Sequence, residues 1–321
     1  MQRQPTIKGK TRLSRFARCS YMLRLDKTVR QLSYFKTALS TTRQTRKMHI
    51  KPIKMRWLTG GVNYSYLLST DDRTKSWLID PAEPAEVFSA LKTEELMSVK
   101  AVVNTHHHYD HSGGNGAVVS RLTELENADV QVISGSHNSP GTTQIPKHLQ
   151  EYTLGDLKIR CIRTPCHTQD SVCYYVSDSS SRQKAIFTGD TLFTAGCGRF
   201  FEGSGEEMDV ALNRRILDGV GESNWSCTNV YPGHEYTQSN VKFVRHAVYK
   251  RTGENAALDK LEKYCDENEV TTGVFTLQDE LEFNPFMRLD DPTVRDAVGD
   301  SKGSLTRAQV TDRLRALKNK M

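Results

Sequence analysis

Directly after the apolar run Ala101-Val102-Val103-Asn104 the chain reads Thr105-His106-His107-His108-Tyr109-Asp110-His111, followed by Ser112-Gly113-Gly114. Polar ligand-type side chains at the end of a core strand have to be satisfied by something, and a metal ion satisfies His106, His108, Asp110 and His111 together. The spacing lets His106 and His108 turn toward one ion while Asp110 and His111 face a neighbour, since imidazole and carboxylate both suit zinc. Gly113 and Gly114 let the backbone turn tightly into the next helix.

Three further candidates each follow an apolar run: His167 in Thr164-Pro-Cys-His-Thr168, Asp190 in Phe187-Thr-Gly-Asp-Thr191, and His234 in Tyr231-Pro-Gly-His-Glu235. Alone, either histidine reads as an ordinary half-buried side chain and Asp190 as a turn residue. Together the five histidines and two aspartates exceed one tetrahedral site and suit two ions ~4 Å apart with Asp190 between them. His107, His49, His137, His148 and His246 are left as structural or exposed.

Around these segments, short apolar strands alternate with helical stretches. Strands are expected at Ile53–Leu58, Tyr64–Ser69, Ser76–Asp80, Ala101–Asn104, Val130–Ile133, Leu157–Arg163, Val172–Val176, Ala185–Phe187 and Asn229–Tyr231. Helices are expected at Ala85–Leu96, Gly114–Leu125 and Glu206–Asp218, so a sheet layered between helices is the natural packing. Beyond Tyr236 the pattern turns helical, at Val241–Lys250, Ala256–Glu267, Pro292–Val298 and Thr306–Lys318, with an irregular stretch around Thr276–Arg288.

Charge is distributed unevenly. Residues 1–47 hold 13 Lys/Arg against one acid, Asp26, a net +12, so the remaining chain with 31 basic and 37 acidic residues is −6. An acidic body removes the argument for a nucleic-acid binder. The basic, hydroxylated, acid-poor segment matches a mitochondrial presequence, with Leu13, Phe16 and Ala17 on one side of a weak amphipathic helix. Met48 opens the first strand-like segment, and a start there would give a tail-less cytoplasmic form. Seven cysteines without paired spacing point to a reducing compartment. No stretch approaches the ~18 apolar residues of a membrane span.

His-x-His-x-Asp-His with later His, Asp and His resembles the metallo-β-lactamase superfamily, which implies an αββα sandwich with its metal site at the edge between two sheets. Three longer strings resemble the glyoxalase II (hydroxyacylglutathione hydrolase) family within it: Thr188-Gly-Asp-Thr-Leu-Phe-Thr-Ala-Gly-Cys-Gly-Arg-Phe-Phe-Glu-Gly203, Tyr231-Pro-Gly-His-Glu-Tyr-Thr237 and Phe283-Asn-Pro-Phe-Met-Arg288. The resemblance covers residues 48–321. It implies residues 48–236 as catalytic domain and 237–321 as helical substrate-binding subdomain.

By that resemblance His106, His108 and His167 hold one zinc and Asp110, His111 and His234 a second. Asp190 and a hydroxide bridge the two, with Asp110 and Asp190 orienting the hydroxide; iron or manganese can replace zinc in either site. Arg199, Tyr236, Arg315 and Lys318 fall on the family's glutathione-binding positions. Phe201 stands where a tyrosine is common and carries no hydroxyl. Asp170 stands where a glycine is usual, and a changed loop rather than an extra ligand is expected there.

The implied reaction is hydrolysis of S-D-lactoylglutathione and other 2-hydroxyacylglutathiones to D-lactate and glutathione, the second step of methylglyoxal detoxification, by a monomer in the mitochondrial matrix. The residues suit it: two cations bring the pKa of a shared water toward 7, and a thiol near pKa 8.5 leaves readily. Cationic Arg315 and Lys318 suit the carboxylates of glutathione, although basic residues are favoured at a helix end in any case. A persulfide dioxygenase of the same superfamily, with a single iron, is the alternative; such enzymes generally lack the Asp-Thr-Leu-Phe string and the long helical C-terminal part.

Overall fold

The computed structural model describes residues 48–127, 129–178 and 182–321. The presequence expectation, on residues 1–47, lies outside them. Two five-stranded sheets face each other. The first has the order β1 (His49–Met55), β2 (Asn63–Ser69), β3 (Ser76–Ile79), β4 (Val99–Val103), β5 (Gln131–Ile133); its first two pairings are antiparallel and its last two parallel. The second is built from β6 (Glu151–Leu154), β7 (Leu157–Arg163), β8 (Val172–Asp178) and β9 (Lys184–Gly189). After a small hairpin, β10 (Leu192–Phe193) and β11 (Gly196–Cys197), strand β12 (Thr228–Pro232) joins parallel to β9 and completes the order β12-β9-β8-β7-β6.

The period of two along each strand sorts its side chains between layers. Tyr64, Tyr66 and Leu68 of β2 and Ala101 and Val103 of β4 pack against Tyr174 and Val176 of β8 and Ala185 and Phe187 of β9, forming the core between the sheets. The intervening Leu67 and Val102 face outward into a second cluster. It is closed by α1 (Pro84–Ala90), α2 (Thr93–Ser98) and, beyond the four-residue α3 (Tyr109–Ser112), α4 (Asn115–Glu124), through Val87, Leu96, Val118 and Leu122.

On the other flank Ile162, Cys173, Tyr175 and Ile186 of the second sheet meet the remaining helices. These are α5 (Gly205–Val210), a π-helical turn (Ala211–Ile216), α6 (Leu217–Val220), α7 (Thr237–Ala247), α8 (Ala256–Glu267), α9 (Leu277–Phe283), α10 (Pro292–Ala297) and α11 (Arg307–Lys318). The layers are therefore αββα, with the C-terminal helices on the outer face of the second sheet. All six described cysteines are free. No helix among the described residues is long and apolar enough to cross a membrane.

Several expectations need correction. The strand expected to Leu58 ends at Met55, where Arg56 takes φ +64° and a 3-10 turn follows at Trp57–Thr59. The single helix expected at Ala85–Leu96 breaks at Leu91 and Lys92, both extended; the Glu95 carboxylate accepts the Lys92 N–H at 2.9 Å and restarts a helix there. The stretch expected to be irregular contains α9, begun by a capping box in which Thr276 and Asp279 exchange hydrogen bonds. Edge strand β6 and the β10–β11 hairpin were not expected.

Candidate metal centre and substrate pocket

Every expected ligand follows the carboxyl end of a strand: His106 to His111 after β4, His167 after β7, Asp190 after β9 and His234 after β12. The first sheet contributes four and the second three. They converge as two trios, His106 with His108 and His167, and Asp110 with His111 and His234, joined by a third set of His106, His111 and Asp190; within each, the facing ligand atoms lie within 4.8 Å of one another. In the first trio His108 Nδ1 is 3.1 Å from both His106 Nε2 and His167 Nε2. In the second, His111 Nε2 is 3.2 Å from His234 Nε2, and Asp110 Oδ2 is 3.6 Å from the latter.

Asp190 reaches both trios. Its Oδ2 is 3.6 Å from His167 Nε2 and 3.3 Å from His234 Nε2, and its Oδ1 is 3.3 Å from His111 Nε2. Such crowding requires bare backbone nearby. A Cβ on Gly198 would lie 1.9 Å from the Asp190 carbonyl oxygen, and one on Gly233 2.5 Å from Asp190 Oδ1.

The remaining ring nitrogens say where the protons are. His167 Nδ1 donates to the Arg199 carbonyl at 2.9 Å, and His111 Nδ1 donates to Asp80 Oδ2 at 3.0 Å. Thr105 Oγ1 donates to Asp80 Oδ2 at 2.7 Å and so accepts from His106 Nδ1 at 3.1 Å. Nε2 of His106 and His167 is thereby left as a bare lone pair aimed into the cluster, and His111 Nε2 faces the same way. Asp80 is a functional residue missed from sequence; it stands buried at the end of β3 with φ +50°, where Asp80-Pro81 reads as an ordinary turn.

Electrostatics agree. Burial holds His106 well below its ordinary pKa and also lowers His167 and His108, so these imidazoles are neutral. His111 differs: burial is outweighed by Asp190 and Asp80, which push it well up, so its Nε2 carries a proton that a bound cation would displace. For Asp190 burial is outweighed by His234 and His111, which hold it ionised. Asp190 Oδ1 and His234 Nδ1 are buried without a hydrogen-bond partner. Lone pairs facing one another at hydrogen-bond distance, beside an unpartnered buried carboxylate oxygen, fit bound cations. The mixed imidazole and carboxylate donors suit zinc and its neighbours.

His108, Asp110, His167, Asp190 and His234 of the cluster line a cavity of about 780 Å³ together with Arg199, Arg315 and Lys318. Arg315 is buried and donates to the Cys197 carbonyl at 3.1 Å, while Lys318 Nζ donates to Asn240 Oδ1. No carboxylate is among the groups acting on either cation. Tyr236, 38% exposed, stacks on His234 with centroids 4.7 Å apart. Phe201 is exposed and turns an edge-on ring to His108 and His167. Asp170 points away from the ligand atoms, toward His107, Ser136 and Thr168.

The sandwich and the placement of its ligands define a protein of the metallo-β-lactamase superfamily, whose family model matches residues 58–124. Among solved structures, a metallo-beta-lactamase from Staphylococcus aureus aligns at TM-score 0.53 with 18% identity, covering 86% of this chain and 72% of that one. ETHE1 from Myxococcus xanthus aligns at TM-score 0.50 with 22% identity, covering 84% and 98%. Both show the shared fold. Residues 235–321 match the model described as hydroxyacylglutathione hydrolase C-terminus. The mitochondrial hydroxyacylglutathione hydrolase of Saccharomyces cerevisiae is 61% identical over 279 residues, 87% of this chain and 98% of the relative. Its cytoplasmic isozyme is 61% identical over 275 residues, 85% and 100%. The chain belongs to the hydroxyacylglutathione hydrolase family.

Proposed function

We propose that the protein hydrolyses S-D-lactoylglutathione, and other 2-hydroxyacyl thioesters of glutathione, to the hydroxy acid and free glutathione. One observation carries the reading: five residues of the metal-type cluster share one cavity with Arg199, Arg315 and Lys318, and no carboxylate acts on the last two. The first trio would hold one zinc and the second another, with Asp190 shared and iron or manganese acceptable in either place. Bound there, the cations supply a water acidified to near-neutral pKa and a Lewis acid for the thioester carbonyl.

The chain's own groups do the rest. Oxygens of Asp110 and Asp190 accept hydrogen bonds from the attacking water and hold its lone pair toward the carbonyl carbon. Arg315, Lys318 and Arg199 bind the carboxylates of glutathione, and Tyr236 adds a phenol hydroxyl. Water adds to the carbonyl carbon as one of its protons passes to solvent, the C–S bond breaks, and the sulfur leaves as thiolate, needing little protonation near pKa 8.5. In this reading residues 48–236 carry the chemistry and 237–321 add Arg315 and Lys318 to the substrate wall, in a monomer. The family relatives and the matched C-terminal model favour this reading over the single-iron dioxygenase alternative.

Residues 1–47 would direct the chain to the mitochondrial matrix, and a start at Met48 would give a cytoplasmic form. The similarity to both a mitochondrial and a cytoplasmic relative supports such a pair. The test of the activity is metal analysis of the purified protein together with its turnover of S-D-lactoylglutathione. A protein that binds metal, leaves the thioester intact and consumes oxygen with glutathione persulfide would overturn the hydrolase reading.

A further inference from the structure

We infer that Asp170 is a positioning residue for the His106, His108 and His167 trio, its carboxylate tying the second-sheet loop that carries His167 to the first-sheet loop that carries His106 and His108. The inference rests on the proposed metal site. Asp170 stands where the resembled family usually has glycine, and its side chain is only 6% exposed. Its Oδ1 accepts from His107 Nδ1 at 2.9 Å and from Thr168 Oγ1 at 2.7 Å, and its Oδ2 accepts from Ser136 Oγ at 2.6 Å. Two of those donors, His107 and Ser136, belong to first-sheet loops following β4 and β5. The third, Thr168, is the residue next to His167.

His107 is the lever. It sits between two residues whose ring nitrogens meet at 3.1 Å, yet its own ring turns to Asp170, with Glu202 Oε1 3.7 Å from its other nitrogen. Fixing that ring fixes the rotation of the peptide that carries His106 and His108 on either side. At the other end, Asp170 closes a tight turn in which the Cys166 and Ser171 N–H groups both donate to the Thr168 carbonyl, so His167 moves with it. The loops touch through backbone as well: a Cβ on Gly135 would lie 1.7 Å from the Asp170 carbonyl oxygen. A buried carboxylate is costly unless its oxygens are satisfied; here three donors satisfy it. Burial is outweighed by Ser136, Thr168 and His107, which keep Asp170 ionised.

The other trio is tied by different means. Asn63 Nδ2 donates to Asp110 Oδ2 at 3.0 Å, and Asn63 bridges His234 through backbone. Each trio therefore has a side-chain link between sheets of its own, beside the Asp190 that both share. The fold does not depend on Asp170, since the Val172 N–H still donates to the Thr105 carbonyl at 2.8 Å and the Tyr174 hydroxyl to the Asn104 carbonyl at 2.8 Å.

The test is the rate at which zinc passes from the loaded protein to a chromophoric chelator, measured with melting temperature. In Asp170→Gly and Asp170→Asn one zinc should leave about 10-fold faster, the lower end of the loss seen when a direct partner of a metal ligand is removed, because Asp170 acts through His107 and Thr168. The other zinc should leave at the wild-type rate, and the fold should persist. His107→Ala should accelerate the same ion, and His107→Ala with Asp170→Gly should add little more. Asn63→Ala should accelerate the other ion. Wild-type release of both ions in Asp170→Gly, or equal acceleration of both, would overturn the inference. A wild-type protein holding one ion would instead remove the two-metal reading, and Asp170 would still be judged by whether that ion leaves faster.

Discussion

His111 donates its Nδ1 proton to Asp80 Oδ2 at 3.0 Å while its Nε2 faces His234 Nε2 at 3.2 Å. A buried carboxylate thus decides which nitrogen of the ring faces the cluster. Asp80→Asn should keep the fold, because asparagine tolerates the φ of +50° at this position. It should weaken metal binding about 10- to 100-fold. A chelator titration checks this, and unchanged affinity would mean that His111 is oriented by its packing alone.

Asp190 is the residue within reach of both trios. Asp190→Ala should therefore lose metal and turnover together. At saturating metal His107→Ala should keep both ions and most of its turnover, since its ring points away from the cluster. Metal content by atomic spectroscopy, alongside kcat, separates the two; an Asp190 variant with two ions and normal hydrolysis would refute the sharing.

Arg315 and Lys318 are three residues apart on α11 and reach one wall of the cavity. Charge-assisted contacts are worth about 1.5 to 3 kcal/mol each, so the double alanine variant should raise KM at least about tenfold with a smaller change in kcat. Hydrolysis of a thioester of a small neutral thiol should be indifferent to both changes. The wall is also pH-sensitive. Burial, then Arg315 and Arg199, push Lys318 down to about 7, with Cys197 opposing them and Asn240 and Phe243 as the other neighbours. The free protein loses that proton as pH rises through about 7, while a bound carboxylate favours the protonated form. KM should therefore climb above that pH in wild type and stay high but level in Lys318→Gln.

Glu280 is fully buried in α9, accepts from the Ala195 N–H at 3.0 Å and from Asn284 Nδ2 at 2.9 Å, and is pushed up to about 8 by burial. Between its ordinary value of 4.5 and about 8 the folded chain holds a proton that the unfolded chain releases, so this residue makes stability fall as pH rises. Glu280→Gln cannot ionise. Its melting temperature should drop less than that of wild type from pH 5 to pH 8; parallel curves would show that Glu280 titrates as an ordinary glutamate.

The net +12 of residues 1–47 is attracted by an inside-negative membrane at about 2.3 kcal/mol per charge per 100 mV. A reporter fused to these residues should enter the matrix, and the chain without them should stay cytosolic and active. Import of a reporter carrying only residues 48–321 would contradict the assignment.

What could be read in the sequence follows how local each signal is. The ligand string after β4 stood out because several polar side chains crowd one strand end. His167, Asp190 and His234 gained meaning only when counted with it. Asp80 and Asn63 carried no such mark and Asp170 only that of a departure from the resembled family, because each acts through a side chain from another loop: Asn63 meets Asp110 47 residues on, and Asp170 meets His107 63 residues back. Helix α9 hid behind Asn284-Pro285, although the Thr276–Asp279 capping box was a local signal that could have revealed it. The polar first turn of α7, Thr237 to Asn240, reads as loop until the side chains of Asn240 and Lys318 are seen to meet.

That last contact spans 78 residues. A polypeptide emerging from the ribosome has delivered all seven histidine and aspartate groups once residue 234 is out, and the second sheet can close around them with β12. The tip between β10 and β11 still waits for Asn240, Glu280 and Asn284, which bond its Thr194, Ala195 and Gly196 backbone, and for Arg315, which bonds Cys197. On the proposed reading, the metal-type cluster and the substrate wall are therefore completed at different points in synthesis, the second only with the final helix.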